Sequence, residues 1–311
     1  MNVTESKLKL RGTSVFVRQR GEGRPVVLIN GIGAHVDMWH PLEQALADMR
    51  VVSFDAPGTG CSHTPLAPSS IWELAELVEE LFDHLRLDRA DVLGYSFGGA
   101  VAQQFALQAP RRVGRLVLAA TGPGWGGVPG QLTAMLSIGT PLRYYSRSFY
   151  EQTASTVAGG PARWDLDYLR RLWPLRGRQA PTLRGYAQQL WAIGLWSSFP
   201  CLTRIESPTL IVVGDDDPLV PVSNAMMMAA RIPHARVVIG EGEGHFLLLD
   251  EHSPMFEPIK QFLLADDLDD ADVWRSAARF DKQQAREQLR SDGLGALPWG
   301  AFSALFREIC W

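Results

Sequence analysis

The chain has 311 residues, of which 46% are apolar and 21% charged, an ordinary balance for a globular protein with a sizeable core. Its formal net charge of −4 offers no basic face for a nucleic-acid partner. The three cysteines, Cys61, Cys201 and Cys310, are odd in number and widely spaced, which speaks against a disulfide framework or a zinc site.

The N-terminus is polar, with no apolar segment of a secretory signal behind it. No apolar run nears the roughly 18 residues of a membrane span. A cytoplasmic protein is therefore expected.

In chain order, short apolar β-branched runs alternate with helical patterns. Val26-Val27-Leu28-Ile29, Val51-Val52-Ser53-Phe54 and Asp91-Val92-Leu93-Gly94 read as buried strands. Leu116 to Ala119, Leu210 to Val213 and Val237 to Ile239 complete the set. Continuous hydrophobicity, without alternation, predicts strands covered on both faces and hence a parallel sheet. Between them, Leu74, Leu77, Val78, Leu81, Phe82 and Leu85 form one helical stripe. The βαβα order predicts an α/β sheet with right-handed crossovers.

The rhythm breaks between residues 122 and 200. Glycines and prolines open the stretch, and five of the ten tryptophans follow: Trp125, Trp164, Trp173, Trp191 and Trp196. We read a helical cap inserted between two strands. Trp125 and Trp191 are candidates to line a substrate channel, although plain core packing competes for such residues. The same stretch holds eight Arg, no Lys and three acids, which reads as ordinary solvated surface. The organisation is thus a core of residues 1–121 and 201–265, a cap of 122–200, and a C-terminal extension of 266–311 that the sheet does not need. Residues 273–290 read as helix. The apolar set Trp299, Phe302, Leu305, Phe306 and Ile309 would either dock on its own domain or a dimer partner, or bind a granule or lipid surface.

The chemistry centres on Gly94-Tyr95-Ser96-Phe97-Gly98. This G-x-S-x-G follows a strand and precedes a helix, the context of a nucleophile elbow. The flanking glycines allow a tight turn, and the helix N-terminus offers free N–H groups to a developing oxyanion. A serine hydroxyl needs a base. Of seven histidines, His245 in Glu243-Gly244-His245-Phe246 lies just past a strand, at the sheet edge where ligand chemistry collects. The base needs an orienting acid. Asp215-Asp216-Asp217-Pro218 follows the strand ending at Val213. Asp217 is the first choice, with Asp216 and then Asp215 behind it. The oxyanion hole needs two N–H donors, assigned to Phe97 and to Ile32 in Asn30-Gly31-Ile32-Gly33-Ala34. Asn30, Gly31 and Gly33 are candidate substrate-binding residues, because the glycines let backbone approach a ligand. Cys61 and His63 read as bystanders beside a structural turn.

The loop Asn30-Gly31-Ile32-Gly33-Ala34, the elbow with Gly99 and Ala102-Gln103-Gln104-Phe105-Ala106, Arg115 to Thr121, and Gly214 to Pro218 together resemble the intracellular medium-chain-length poly(3-hydroxyalkanoate) depolymerases of the α/β-hydrolase superfamily. The likeness spans about Asn30 to Leu264 and weakens through the cap. Tyr95 and Phe97 depart from it in size, and the C-terminal extension has no counterpart. The resemblance implies an α/β-hydrolase fold: a mostly parallel central sheet, helices on both faces and an inserted helical cap. It implies a triad at Ser96, Asp217 and His245 that cleaves carboxylic esters, of polyhydroxyalkanoate or of smaller molecules, with no metal and no organic cofactor. A cofactor-free haloperoxidase or acyl-transfer enzyme with the same triad, and a non-catalytic binding protein, are the alternatives.

Overall fold

The computed structural model describes residues 2–291. The apolar set from Trp299 to Ile309 lies outside them. Eight strands form one sheet in the order β1-β2-β4-β3-β5-β6-β7-β8. They are β1 (Val3–Leu10), β2 (Thr13–Arg20), β3 (Pro25–Ile29), β4 (Arg50–Phe54), β5 (Ala90–Tyr95), β6 (Val113–Ala119), β7 (Thr209–Gly214) and β8 (Ala235–Gly240). From β4 to β8 every pairing is parallel, while β1 and β2 join as an antiparallel hairpin on the β4 edge. The continuous apolar runs became the central strands because both of their faces are covered. β1 and β2 were not predicted. β1 is mostly exposed, so its sequence alternates with polar residues and lacks the buried signature. Its two-residue turn, Arg11-Gly12, has positive φ at both positions, which suits the twist of a hairpin.

Helices cover the two faces. On one side α2 (Ile71–His84), α3 (Phe97–Gln108) and α9 (Val222–Ala229) bury Leu77, Phe82, Phe105 and Met228. A reciprocal Ser70–Glu73 capping box starts α2. On the other side α1 (His40–Ala45) and α10 (Phe256–Leu264) bury Leu42, Ile259 and Phe262.

Between β6 and β7 the chain forms α4 (Leu132–Ile138), α5 (Leu142–Tyr145), α6 (Arg147–Ala158), α7 (Leu166–Gly177) and α8 (Leu183–Gly194). Tyr150, Val157, Leu169 and Leu172 of these helices build a separate apolar cluster with Ala34, Met38 and Phe246. Those three belong to loops after β3 and β8. The inserted helices therefore sit over the C-terminal ends of the strands.

After α10 the chain departs from expectation. The helix read over 273–290 is two short pieces, α11 (Asp272–Ser276) and α12 (Lys282–Ser291). Between them Ala278 exchanges two backbone hydrogen bonds with Val237 of β8, at 2.9 and 3.0 Å. Trp274 stacks on Phe262, with ring centroids 5.3 Å apart, and Arg236 lies over its ring. This part of the extension covers the free edge and face of β8, so the sheet does use it. Cys61 is free and exposed.

Candidate active site

Ser96 stands at the turn between β5 and α3 with φ 53° and ψ −117°, a conformation that L-residues seldom adopt and that marks functional turns. The surrounding packing holds it there. The Ser96 N–H donates to the carbonyl of Ala119 (2.9 Å), and Thr121 Oγ1 donates to the carbonyl of Ser96 (2.8 Å). A Cβ at Gly98 would lie 2.0 Å from the carbonyl oxygen of Ile29, so only glycine lets α3 start this close to β3.

The Ser96 hydroxyl lies 3.0 Å from His245 Nε2. His245 Nδ1 lies 2.8 Å from Asp217 Oδ2. An imidazole protonated on Nδ1 satisfies both contacts, donating to the carboxylate and accepting from the hydroxyl. His245 and Asp217 are both buried. The other carboxylate oxygen, Asp217 Oδ1, accepts from the N–H groups of Leu219 (2.8 Å) and Val220 (2.9 Å). The neighbouring acids serve other ends. Asp216 binds the Gly160 N–H and pairs with the Arg163 guanidinium. Asp215 accepts from the Gly242 N–H.

The loop after β3 spends its donors selectively. Gly31 N–H donates to Asn30 Oδ1, Gly33 N–H to Gln189 Oε1, and Ala34 N–H to the Gly31 carbonyl. The Ile32 N–H is the one left over among them. The Phe97 N–H, at the first turn of α3, is likewise unused among the described residues. Tyr144 donates to the Ile32 carbonyl at 2.6 Å, which fixes the orientation of that segment.

A cavity of about 40 Å³ adjoins Ser96 and His245, room for about three water molecules. Gly31, Ile32, Met38, Tyr144, Val157 and Phe246 form part of its wall. Four predicted substrate contacts are placed elsewhere. Asn30 braces its own loop, with Nδ2 donating to the His35 carbonyl (2.8 Å). Gly33 has φ +69° and is packed under Tyr144, Tyr186 and Pro181, and it is not part of the cavity wall. Trp125 (57% exposed) and Trp191 (46% exposed) face outward, and Trp125 Nε1 donates to the Gly194 carbonyl. Aromatic residues in a sequence do not record which way each one faces.

Sequence reasoning missed Tyr95, Arg143 and Arg176, which also line the cavity. Tyr95 donates to the backbone carbonyl of His245 (2.7 Å). Burial pushes its pKa up, so it stays a donor. His63 is exposed, and the Cys61 thiol donates to Gln179 Oε1. No group of three or more His, Cys, Asp or Glu among the described residues could hold a metal ion. No helix among them is long and apolar enough to cross a membrane.

Comparison with known proteins agrees with this architecture. The family description "alpha/beta hydrolase fold" matches residues 24–252. A poly(3-hydroxyalkanoate) depolymerase of Ectopseudomonas oleovorans is 38% identical over 245 residues, covering 77% of this chain and 84% of the relative. A pimeloyl-[acyl-carrier protein] methyl ester esterase of Aeromonas hydrophila is 31% identical over 259 residues, covering 80% and 99%. The crystal structure of a hydrolase from Pseudomonas aeruginosa PA01 superposes with a TM-score of 0.71 at 30% identity, covering 84% of this chain and 98% of that one. An eight-stranded, mostly parallel sheet and relatives that are depolymerases, esterases and hydrolases lead to one conclusion: this chain belongs to the α/β-hydrolase fold family and resembles its poly(3-hydroxyalkanoate) depolymerases.

Proposed function

We propose that the chain is a serine carboxylic-ester hydrolase working through an acyl-enzyme. The observation that carries this is the continuous contact Ser96 Oγ–His245 Nε2–His245 Nδ1–Asp217 Oδ2, with spacings of 3.0 and 2.8 Å. Ser96 Oγ attacks the ester carbonyl while its proton passes to His245 Nε2. The carbonyl oxygen becomes an oxyanion, met by the unused N–H groups of Ile32 and Phe97. Collapse of this intermediate breaks the bond to the alcohol oxygen, which takes the proton from His245. Water then attacks the acyl-enzyme, again losing a proton to His245, and Ser96 leaves with that proton. Asp217 holds the imidazole in the required tautomer and stabilises its cation.

The likeness to a poly(3-hydroxyalkanoate) depolymerase supports an ester of a hydroxy acid as substrate. Residues 122–200 act in this reading as a cap, because the cavity beneath them is too small for such an ester unless α4–α8 shift. The test is hydrolysis of p-nitrophenyl esters of rising chain length by wild type and Ser96→Ala, with fluorophosphonate labelling of Ser96. Equal activity in the two proteins would falsify the mechanism.

A further inference from the structure

The excess of arginine in residues 122–200 is not all surface. Arg143 on α5 is 4% exposed, and Arg176 in the last turn of α7 is 3% exposed. Both line the cavity that holds Ser96 and His245. Neither pairs with a carboxylate among the described residues. Arg143 donates to the Tyr186 hydroxyl (2.6 Å), and its guanidinium lies over the Tyr144 and Tyr186 rings, at 4.9 and 5.3 Å. Arg176 lies over the rings of Tyr144, Tyr150 and Phe246, at 5.1, 5.6 and 4.4 Å, and makes no hydrogen bond to a described residue. In both, Nε is buried with no hydrogen-bond partner.

Ring faces attract a cation, but they cover only the flat sides of a guanidinium. Its five N–H donors point outward in the plane. A buried cation whose donors are unmet is costly unless an anion completes it. The carboxylate and the imidazole beside this cavity are committed otherwise. Asp217 is held by His245 and two backbone N–H groups. His35, which contacts the Leu175 carbonyl, is driven toward its neutral form by burial.

We propose that Arg143 and Arg176 form a carboxylate subsite, so that the ester cleaved at Ser96 carries a free carboxylate near its scissile bond. This rests on the serine-esterase reading above. The substrate class is an acid-terminated ester. In a linear oligoester of 3-hydroxy acids, the terminal carboxylate stands two carbons from the last ester oxygen. The planar fork of a guanidinium suits that group. The interior of a long polyester offers no such charge, so the subsite favours short chains cut at their acid end.

The experiment compares the linear dimer of 3-hydroxybutyrate as its free acid with the same dimer capped as the primary amide, following release of the monomer. Wild type should show kcat/KM at least about tenfold higher for the acid. Arg143→Gln and Arg176→Gln should each pull that ratio toward one, and Arg176→Lys should restore part of it. Should the variants not fold, wild type alone gives the answer. Butyrate should inhibit p-nitrophenyl acetate hydrolysis competitively, at concentrations about tenfold below those butyramide needs. A ratio at or below one, with Ser96 still labelled by fluorophosphonate and p-nitrophenyl acetate still hydrolysed, overturns the subsite and leaves the esterase. Absence of both labelling and ester hydrolysis overturns the esterase, and the subsite with it.

Discussion

The Tyr95 hydroxyl donates to the backbone carbonyl of His245 across 2.7 Å, so the residue before the nucleophile grips the main chain of the residue that contacts it. The Tyr95 ring also lies 5.5 Å from the imidazole and meets Trp39 edge-on. Ser96 and His245 are 149 positions apart in the chain, and this bond couples their loops independently of the Ser96–His245 contact. Tyr95→Phe keeps the ring and removes the donor. It leaves a buried carbonyl unmet, which should cost about 1–3 kcal/mol in denaturant unfolding. With the imidazole less firmly held, kcat on a p-nitrophenyl ester should fall about tenfold. Unchanged kcat together with unchanged stability would show that the bond positions nothing.

The three consecutive acids after β7 should separate cleanly by mutation. Asp217→Asn preserves an acceptor for the N–H groups of Leu219 and Val220 but presents an amide N–H to His245 Nδ1. It favours the wrong tautomer, so kcat should drop by about 10⁴ with the fold intact. Asp216→Asn touches a half-exposed pair with Arg163 and should cost at most about 1 kcal/mol of stability. Its kcat should stay within about threefold of wild type, since the carboxylate contacts neither Ser96 nor His245. A larger kcat loss in Asp216→Asn than in Asp217→Asn would reassign the orienting acid.

The sequence displayed the parallel core because strands covered on both faces, such as Val26 to Ile29, must be apolar throughout. It displayed Ser96 because the elbow needs glycine where α3 meets the Ile29 carbonyl. It ranked Asp217 first but could not exclude Asp215 or Asp216, since all three follow the strand and only side-chain direction separates them. It missed β1, whose exposed residues alternate like any solvated segment. It offered Trp125 and Trp191 as channel lining, because a count of aromatic residues does not say which way each one faces. It read Arg143 and Arg176 as surface for a related reason. Charge counts carry no burial, and the rings that enclose them come from α5, α6, α8 and the loop after β8.

Gln189 of α8 ties the inserted helices to the loop after β3, since its Oε1 accepts from the Gly33 N–H at 2.8 Å. That bond lies one residue from the unused Ile32 N–H. Gln189→Leu fills similar space but leaves the Gly33 N–H unmet, at a cost of about 1–3 kcal/mol. Loss of an oxyanion donor outright costs 10²–10³ in kcat by general experience. Loosening its neighbour should cost less, about tenfold, and mainly in kcat. A change confined to KM would mean that the loop serves binding alone.

Asp55 should leave a signature in the pH dependence of stability. It is fully buried after β4, and its two oxygens accept from the N–H groups of Val36 and Cys61, each at 2.8 Å. It thereby joins the loops that follow β3 and β4. Burial outweighs these bonds and pushes its pKa from 3.8 up to about 6. The folded protein therefore holds this proton more tightly than the unfolded chain does. Its contribution to stability is full below about pH 4 and is lost as pH rises through about 6. A rise of about two pKa units corresponds to about 3 kcal/mol. Urea unfolding of wild type and Asp55→Asn across pH 4 to 7 isolates this group, because Glu43 and Asp91, also raised by burial, titrate in both proteins and cancel. Relative to the asparagine variant, wild type should lose about 2 kcal/mol over that interval. A difference that stays flat with pH would mean that Asp55 is already ionised in the fold at pH 4.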